Sequence, residues 1–247
     1  MEHKILGKGE TLLLIHGFAI SYPIWRRIQQ KIVDAGYKLI IIDLLDTNND
    51  KNEHEYIDQC ISGIEKIRRA QKVKRISIIG YSLGAIFAEK YFSSYKDNVN
   101  LVINIFPPIL TRTRKRFLDI LITFATSFNF FWEIVLSGKI LYFLIILLGF
   151  NLRQNKESKY WFEIISKSKI KTMTLWLKIV NSYKQLPNNK KIINIIAKND
   201  WAASNRKTRE GDVVLNCSHS GIITESEKVA KAIINILSSL NANSKQS

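Results

Sequence analysis

The chain has 247 residues, 46% of them hydrophobic, and carries a formal net charge of +16. That length and apolar content support one large α/β domain with its own core and exclude a disordered chain. The two isolated cysteines, Cys60 and Cys217, exclude a disulfide framework and make a reducing, cytoplasmic compartment the default. The opening residues, Met1 to Gly7, hold no apolar h-region or small-residue cleavage site, so no signal peptide is expected. The basic charge fits either a solvated surface or an anionic partner. No helix-turn-helix, zinc-finger or RNP-type signature accompanies it, so nucleic acid is not the expected partner.

The elements follow in chain order. A strand is expected near the start, and Thr11 to Ile15 is an almost wholly apolar run that reads as a buried parallel strand. The loop Phe18 to Trp25 leads into a helix ending near Ala35. Lys38 to Leu44 is the next buried strand, and Asp46 to Asn52 is a polar loop. Glu53 to Ala70 is helical, with Tyr56, Cys60, Ile64 and Ile67 at helical spacing.

Arg75 to Glu89 then reads as a strand, Ile76 to Ile79, a turn Gly80-Tyr81-Ser82-Leu83-Gly84, and a helix running to about Tyr95. This is the Gly-x-Ser-x-Gly elbow in the setting it requires, with a serine on a strained turn and glycines where strand and helix approach closely. The helix start also aims backbone N–H groups at developing negative charge. Asn100 to Phe106 is a further strand, closed by Pro107-Pro108. Alternating strands and helices imply right-handed βαβ units in a doubly wound, mostly parallel sheet, with ligands at the carboxyl ends of the strands.

After Pro108 the pattern changes. Residues 109–186 show no clear strand and are expected to form a helical cap inserted into a core made of residues 1–108 and 187–241. Ile140 to Phe150 runs without a charge, but it is far shorter than the ~20 residues a spanning helix needs. An apolar helical cap over the site is the expected arrangement, with peripheral membrane contact through part of it as the alternative. The segment from Pro107 to Pro187 holds 13 Lys/Arg and 4 Asp/Glu, so it carries +9 of the +16. Arg112, Arg114, Lys115, Arg116 and Arg153 are therefore candidates to meet an acidic partner. Trp132 and Phe143 are candidates to line an acyl chain, within apolar walls drawn from Phe117 to Phe150 and Trp161 to Trp176.

The core returns with a strand between Lys190 and Asp200, a final strand from Asp212 to Cys217, and an amphipathic helix from Glu225 to Leu240. Residues 242–247 are expected to be a flexible tail.

A serine hydroxyl needs a base within hydrogen-bond reach, and the base needs an orienting acid. Of the four histidines, His3 is terminal, His54 opens a helix, and His16 ends a strand. His219 follows the last strand and is the candidate base for Ser82. Asp200, after a strand, is the favoured acid. Asp212 competes but precedes its strand, which puts it at the wrong end of the sheet. The chain order Ser82, Asp200, His219 matches that arrangement.

On these residues, together with His16-Gly17-Phe18 and the cap insertion, the chain resembles the α/β-hydrolase superfamily over essentially its full length. The resemblance implies an α/β-hydrolase fold and an oxyanion hole made by the backbone N–H groups of Phe18 and Leu83, with His16 structural. It implies a serine hydrolase of carboxylic esters that uses no metal or cofactor. Among subfamilies the chain is most similar to the pimeloyl-acyl-carrier-protein methyl ester esterases of biotin synthesis, through its Tyr-Ser-Leu-Gly elbow and basic helical cap. That similarity implies an acyl ester presented by an acidic acyl carrier protein. The alternatives are a general esterase or lipase on free acyl esters, and a non-enzymatic binding protein on the same fold. Two features depart from the subfamily pattern. The loop after Asp43 is Leu-Leu-Asp-Thr-Asn-Asn-Asp where Pro-Gly-x-Gly-x-Ser is usual, and the segment from Asp200 to His219 is short.

Overall fold

The structure, a computed structural model, describes residues 1–46, 52–127, 164, 170–200 and 208–244. Seven strands form one sheet: β1 (His3–Leu6), β2 (Glu10–Ile15), β3 (Tyr37–Ile42), β4 (Ile76–Tyr81), β5 (Val99–Ile105), β6 (Ile192–Ala197) and β7 (Val213–Leu215), in the order β1-β3-β2-β4-β5-β6-β7. β1 runs antiparallel to β3, and every other neighbouring pair is parallel. Among the described residues the longer helices are α1 (Arg26–Asp34), α2 (Glu53–Ala70), α3 (Leu83–Ser94), α4 (Arg112–Ser127), α5 (Ile170–Ser182) and α6 (Ser226–Ser244). This is the expected α/β-hydrolase fold with a mostly parallel sheet flanked by helices.

The central strands are apolar on both faces because each face is covered. Along β2, Leu12 and Leu14 enter the layer that includes Ile28 and Ile32 of α1 and Val229, Ile233 and Ile236 of α6. Leu13 and Ile15 point the other way, into the layer built on Tyr56 and Ile64 of α2 and Phe87 and Tyr91 of α3. The period of two along each strand thus splits one continuous apolar run between two cores. α2 begins at a capping box: Asn52 Oδ1 accepts from Glu55 N–H at 3.0 Å, and Asn52 N–H donates to Glu55 Oε2 at 3.1 Å.

Several boundaries differ from the sequence reading. The last strand is only Val213–Leu215, because the chain turns at Asn216 to bring Cys217 N–H onto Leu215 O. The closing helix does not stop where its apolar stripe ends at Leu240 but continues to Ser244, so the first residues assigned to a flexible tail are helical. Between residues 109 and 186, α4 and α5 are helical, while Trp132, Phe143, Arg153 and Trp161 lie outside the described residues. Among the described residues, no helix is long and apolar enough to cross a membrane.

The approach of α3 to the sheet sets the position of everything that follows. A Cβ on Gly80 would sit 2.4 Å from Gly84 O and 2.6 Å from Ala85 Cα, so the strand end meets its own helix there. A Cβ on Gly84 would sit 2.2 Å from Ile15 O and 2.7 Å from His16 O, so the helix start meets the end of β2. Both obstacles are backbone and cannot rotate aside. Gly84→Ala is expected to cost at least the ~1–3 kcal/mol typical of overpacking, with soluble yield falling accordingly. A urea midpoint equal to that of the wild type would show that the helix can back away from β2.

Candidate active site

The elbow is built from a short set of constraints. β4 ends at Tyr81 and α3 starts at Leu83, so Ser82 alone makes the turn, at φ 51° and ψ −115°. A left-handed φ at a residue with a Cβ is costly, of the order of 1–3 kcal/mol, and persists only where neighbours impose it. Here Ser82 N–H donates to Ile105 O on β5 at 2.9 Å, and Ala85 N–H donates to Ser82 O at 2.9 Å.

The hydroxyl so placed meets His219. Ser82 Oγ lies 2.9 Å from His219 Nε2, and His219 Nδ1 lies 2.7 Å from Asp200 Oδ2. The side chain of Asp200 is 0% exposed and that of His219 7% exposed, so the chain of hydrogen bonds is nearly dry. An acceptor carboxylate on Nδ1 fixes the proton there, leaving Nε2 to accept from the serine hydroxyl. Asp200 follows β6 and His219 follows β7, and both therefore stand at the carboxyl end of the sheet beside the end of β4. Asp212 lies at the opposite end of β7. Its carboxylate accepts from Asn194 N–H, Asn194 Nδ2 and Arg209 N–H at 3.1, 2.6 and 2.9 Å, which makes it a brace for β6. His3 and His54 are exposed.

His16 is buried beside the site but is held by backbone groups. Its Nε2 accepts from Leu44 N–H at 3.0 Å, and its Nδ1 lies 2.8 Å from Gly17 O, to which it donates. Burial keeps its pKa below the ordinary histidine value, against the pull of the nearby Asp43 carboxylate, so the ring is the neutral form these two bonds require. The ring thereby ties the end of β3 to the loop that carries Phe18. Ala19, next in that loop, is buried with φ 56°. Among the described residues, no hydrogen bond engages the N–H of Phe18 or of Leu83. Both donors belong to the two segments that meet at the elbow, the loop after β2 and the start of α3.

Trp176 corrects the expected acyl wall. It is 0% exposed, and its indole lies edge-on to His16 and Phe18, with ring centres 5.8 and 6.2 Å away. Its Nε1–H donates to Tyr56 Oη at 2.7 Å, and Tyr56 donates in turn to Leu45 O at 2.6 Å. Thr172 Oγ1 also donates to Asp46. α5 is thus fastened to the loop after β3, and Trp176 supports the Phe18 loop from behind as part of the core. That loop, which departs from the Pro-Gly pattern, earns its place by these contacts. Shortly before α5, Ile164 O accepts from Ser21 N–H at 2.8 Å.

On α4, Arg112 and Arg116 are exposed, Arg114 and Lys115 are half-buried, and Lys115 Nζ donates to Tyr183 O at 3.3 Å. Ile120, one turn beyond Arg116, is 66% exposed. Tyr81, Trp176 and Tyr56 are the site-building residues that sequence reasoning passed over. Tyr81 stood inside the recognised motif, whereas nothing in the spacing of Trp176 distinguishes it from an ordinary apolar position.

A serine on a strained strand-to-helix turn, hydrogen-bonded to a histidine that is itself bonded to an aspartate, sits at the carboxyl end of a doubly wound sheet, the arrangement the α/β-hydrolase resemblance leads one to expect. The chain belongs to that family: the alpha/beta hydrolase fold family matches residues 10–212. Solved structures share the fold over nearly their whole length. A carboxylesterase of Nitrososphaera gargenis superposes with TM-score 0.70 at 15% identity, covering 98% of this chain and 95% of that one. An esterase from Exiguobacterium antarcticum gives 0.72 at 13% identity, covering 94% and 93%. A putative non-heme bromoperoxidase from Mycobacterium tuberculosis gives 0.75 at 15% identity, covering 97% and 96%.

Trp176→Phe is expected to lower stability by about 1–3 kcal/mol, because it leaves the buried Tyr56 hydroxyl short of its donor and opens a gap behind Phe18. Urea denaturation monitored by circular dichroism reads this. A loss below a few tenths of a kcal/mol would mean that α5 is only loosely seated.

Proposed function

We propose that the protein is a serine carboxylesterase that works through an acyl-enzyme. The observation that carries this reading is the buried relay of Ser82, His219 and Asp200 at 2.9 and 2.7 Å. Ser82 Oγ attacks the ester carbonyl while His219 Nε2 takes its proton, and Asp200 stabilises the imidazolium that results. The N–H groups of Phe18 and Leu83 receive the tetrahedral oxyanion, a contribution of ~3 kcal/mol per donor. His219 then returns the proton to the leaving alcohol, and the acyl group remains on Ser82. In the second half, His219 activates water against the acyl-enzyme, and the acid is released.

For the substrate, the reading favours a methyl ester of an acyl chain borne by an acidic carrier protein, as in the pimeloyl step of biotin synthesis. Its support is the charge of the insertion and the exposed Arg112 and Arg116 on α4. The two buried free cysteines suit a reducing, cytoplasmic setting. A second reading, a general esterase or lipase acting at a membrane surface, draws on Ile120, which shares the open side of α4 with those arginines. Flotation with phosphatidylglycerol vesicles discriminates between the two.

Ser82→Ala is expected to reduce hydrolysis of p-nitrophenyl acetate by about 10,000-fold or more, and Asp200→Asn by a comparable factor, with folding intact. Residual rates within tenfold of wild type would remove the serine mechanism. Neutralising Arg112, Arg114 and Arg116 together is expected to cut turnover of a carrier-bound methyl ester by about tenfold, more at low salt, and to leave p-nitrophenyl acetate untouched. Equal losses on both substrates would contradict carrier docking on α4.

A further inference from the structure

Tyr81 packs against His219, Phe106 and the loop at Gly17. It is the last residue of β4, and Ser82 follows it directly. Its ring lies flat enough against the loop after β2 that a Cβ on Gly17 would sit 3.0 Å from Cδ1. The same ring lies beside the His219 imidazole, centres 5.5 Å apart with 35° between planes, and meets Phe106 edge-on at 6.3 Å. Phe106 contacts His219 from a second side, at 6.2 Å. Most specifically, the Tyr81 hydroxyl donates to the main-chain oxygen of His219 at 3.0 Å, in a buried position.

His219 needs such a tie. It hangs from the loop after β7, which is the edge strand of the sheet and only three residues long. Ser82 follows directly on β4, a strand in the middle of the sheet that is paired on both sides. The relay works only if the imidazole keeps two in-line bonds at once, and an error of ~1 Å in such a geometry costs on the order of a hundredfold in rate. Burial, with the Asp200 charge adding to it, pushes the Tyr81 hydroxyl well above its ordinary pKa, so it stays a donor throughout the working range.

We propose that Tyr81 is a positioning residue for the base: its hydroxyl fastens the His219 main chain to the strand that carries Ser82, so that nucleophile and base move as one body. This rests on the serine-hydrolase reading above. The distance from Ser82 to His219 is then set by β4 and not by the edge strand. A tyrosine in the elbow between Gly80 and Ser82 does what the short β7 cannot.

Tyr81→Phe removes one oxygen and keeps the ring. With p-nitrophenyl acetate, the acylation burst and kcat are expected to fall together by about tenfold while KM stays within about twofold. The downfield proton NMR signal of His219 Nδ1–H in the resting protein is expected to broaden or shift. Unchanged burst, kcat and downfield signal in a folded variant would overturn the proposal. So would a variant whose only defect is a lower Tm, or one that does not fold at 25 °C, since either makes the hydroxyl purely architectural. A wild-type protein with no burst at all would instead overturn the serine mechanism, and with it the proposal.

Discussion

The contact between the start of α3 and the end of β2 is the constraint on which the site depends. With Ile15 O only 2.2 Å from where a Cβ of residue 84 would lie, α3 can sit at this depth only as a glycine-flanked helix. That depth forces the chain to turn within the single residue Ser82. The single-residue turn and the strained φ of Ser82 are consequences of one backbone approach.

Around this fixed point the other components are hung with different firmness. Asp200 and His219 follow the last two strands of the sheet, where pairing is shortest. The Phe18 loop is held from two sides, by the neutral His16 ring bonded to Leu44 and Gly17, and by Trp176 fastened through Tyr56 to Leu45. The insertion is therefore not an independent lid along α5. That helix is part of the wall behind the Phe18 loop.

Much of this was legible in the sequence because it obeys short-range rules. The glycines at 80 and 84, the apolar runs of β2 to β6, and the order of Ser82, Asp200 and His219 each express a local requirement of strand, turn or strand end. The choice of Asp200 over Asp212 also followed from position, since a residue before a parallel strand lies at the end away from the ligands. What could not be read were contacts set only by tertiary structure. Trp176 looks like any apolar position of an amphipathic helix until Tyr56, 120 residues earlier, is seen to accept its proton. The donation from Tyr81 to the His219 carbonyl likewise spans 138 residues. The end of α6 was placed too early because its last turns carry no apolar stripe, although helical bonding continues through them.

The proposed mechanism makes Ser82 a nucleophile activated by His219. The most direct measurement is intact-mass analysis after treatment with a fluorophosphonate, followed by peptide mapping. The account predicts a single adduct on Ser82, lost in Ser82→Ala and formed at least about a hundredfold more slowly in His219→Ala. A folded wild-type protein that takes up no adduct, or takes it up on another residue, would contradict it.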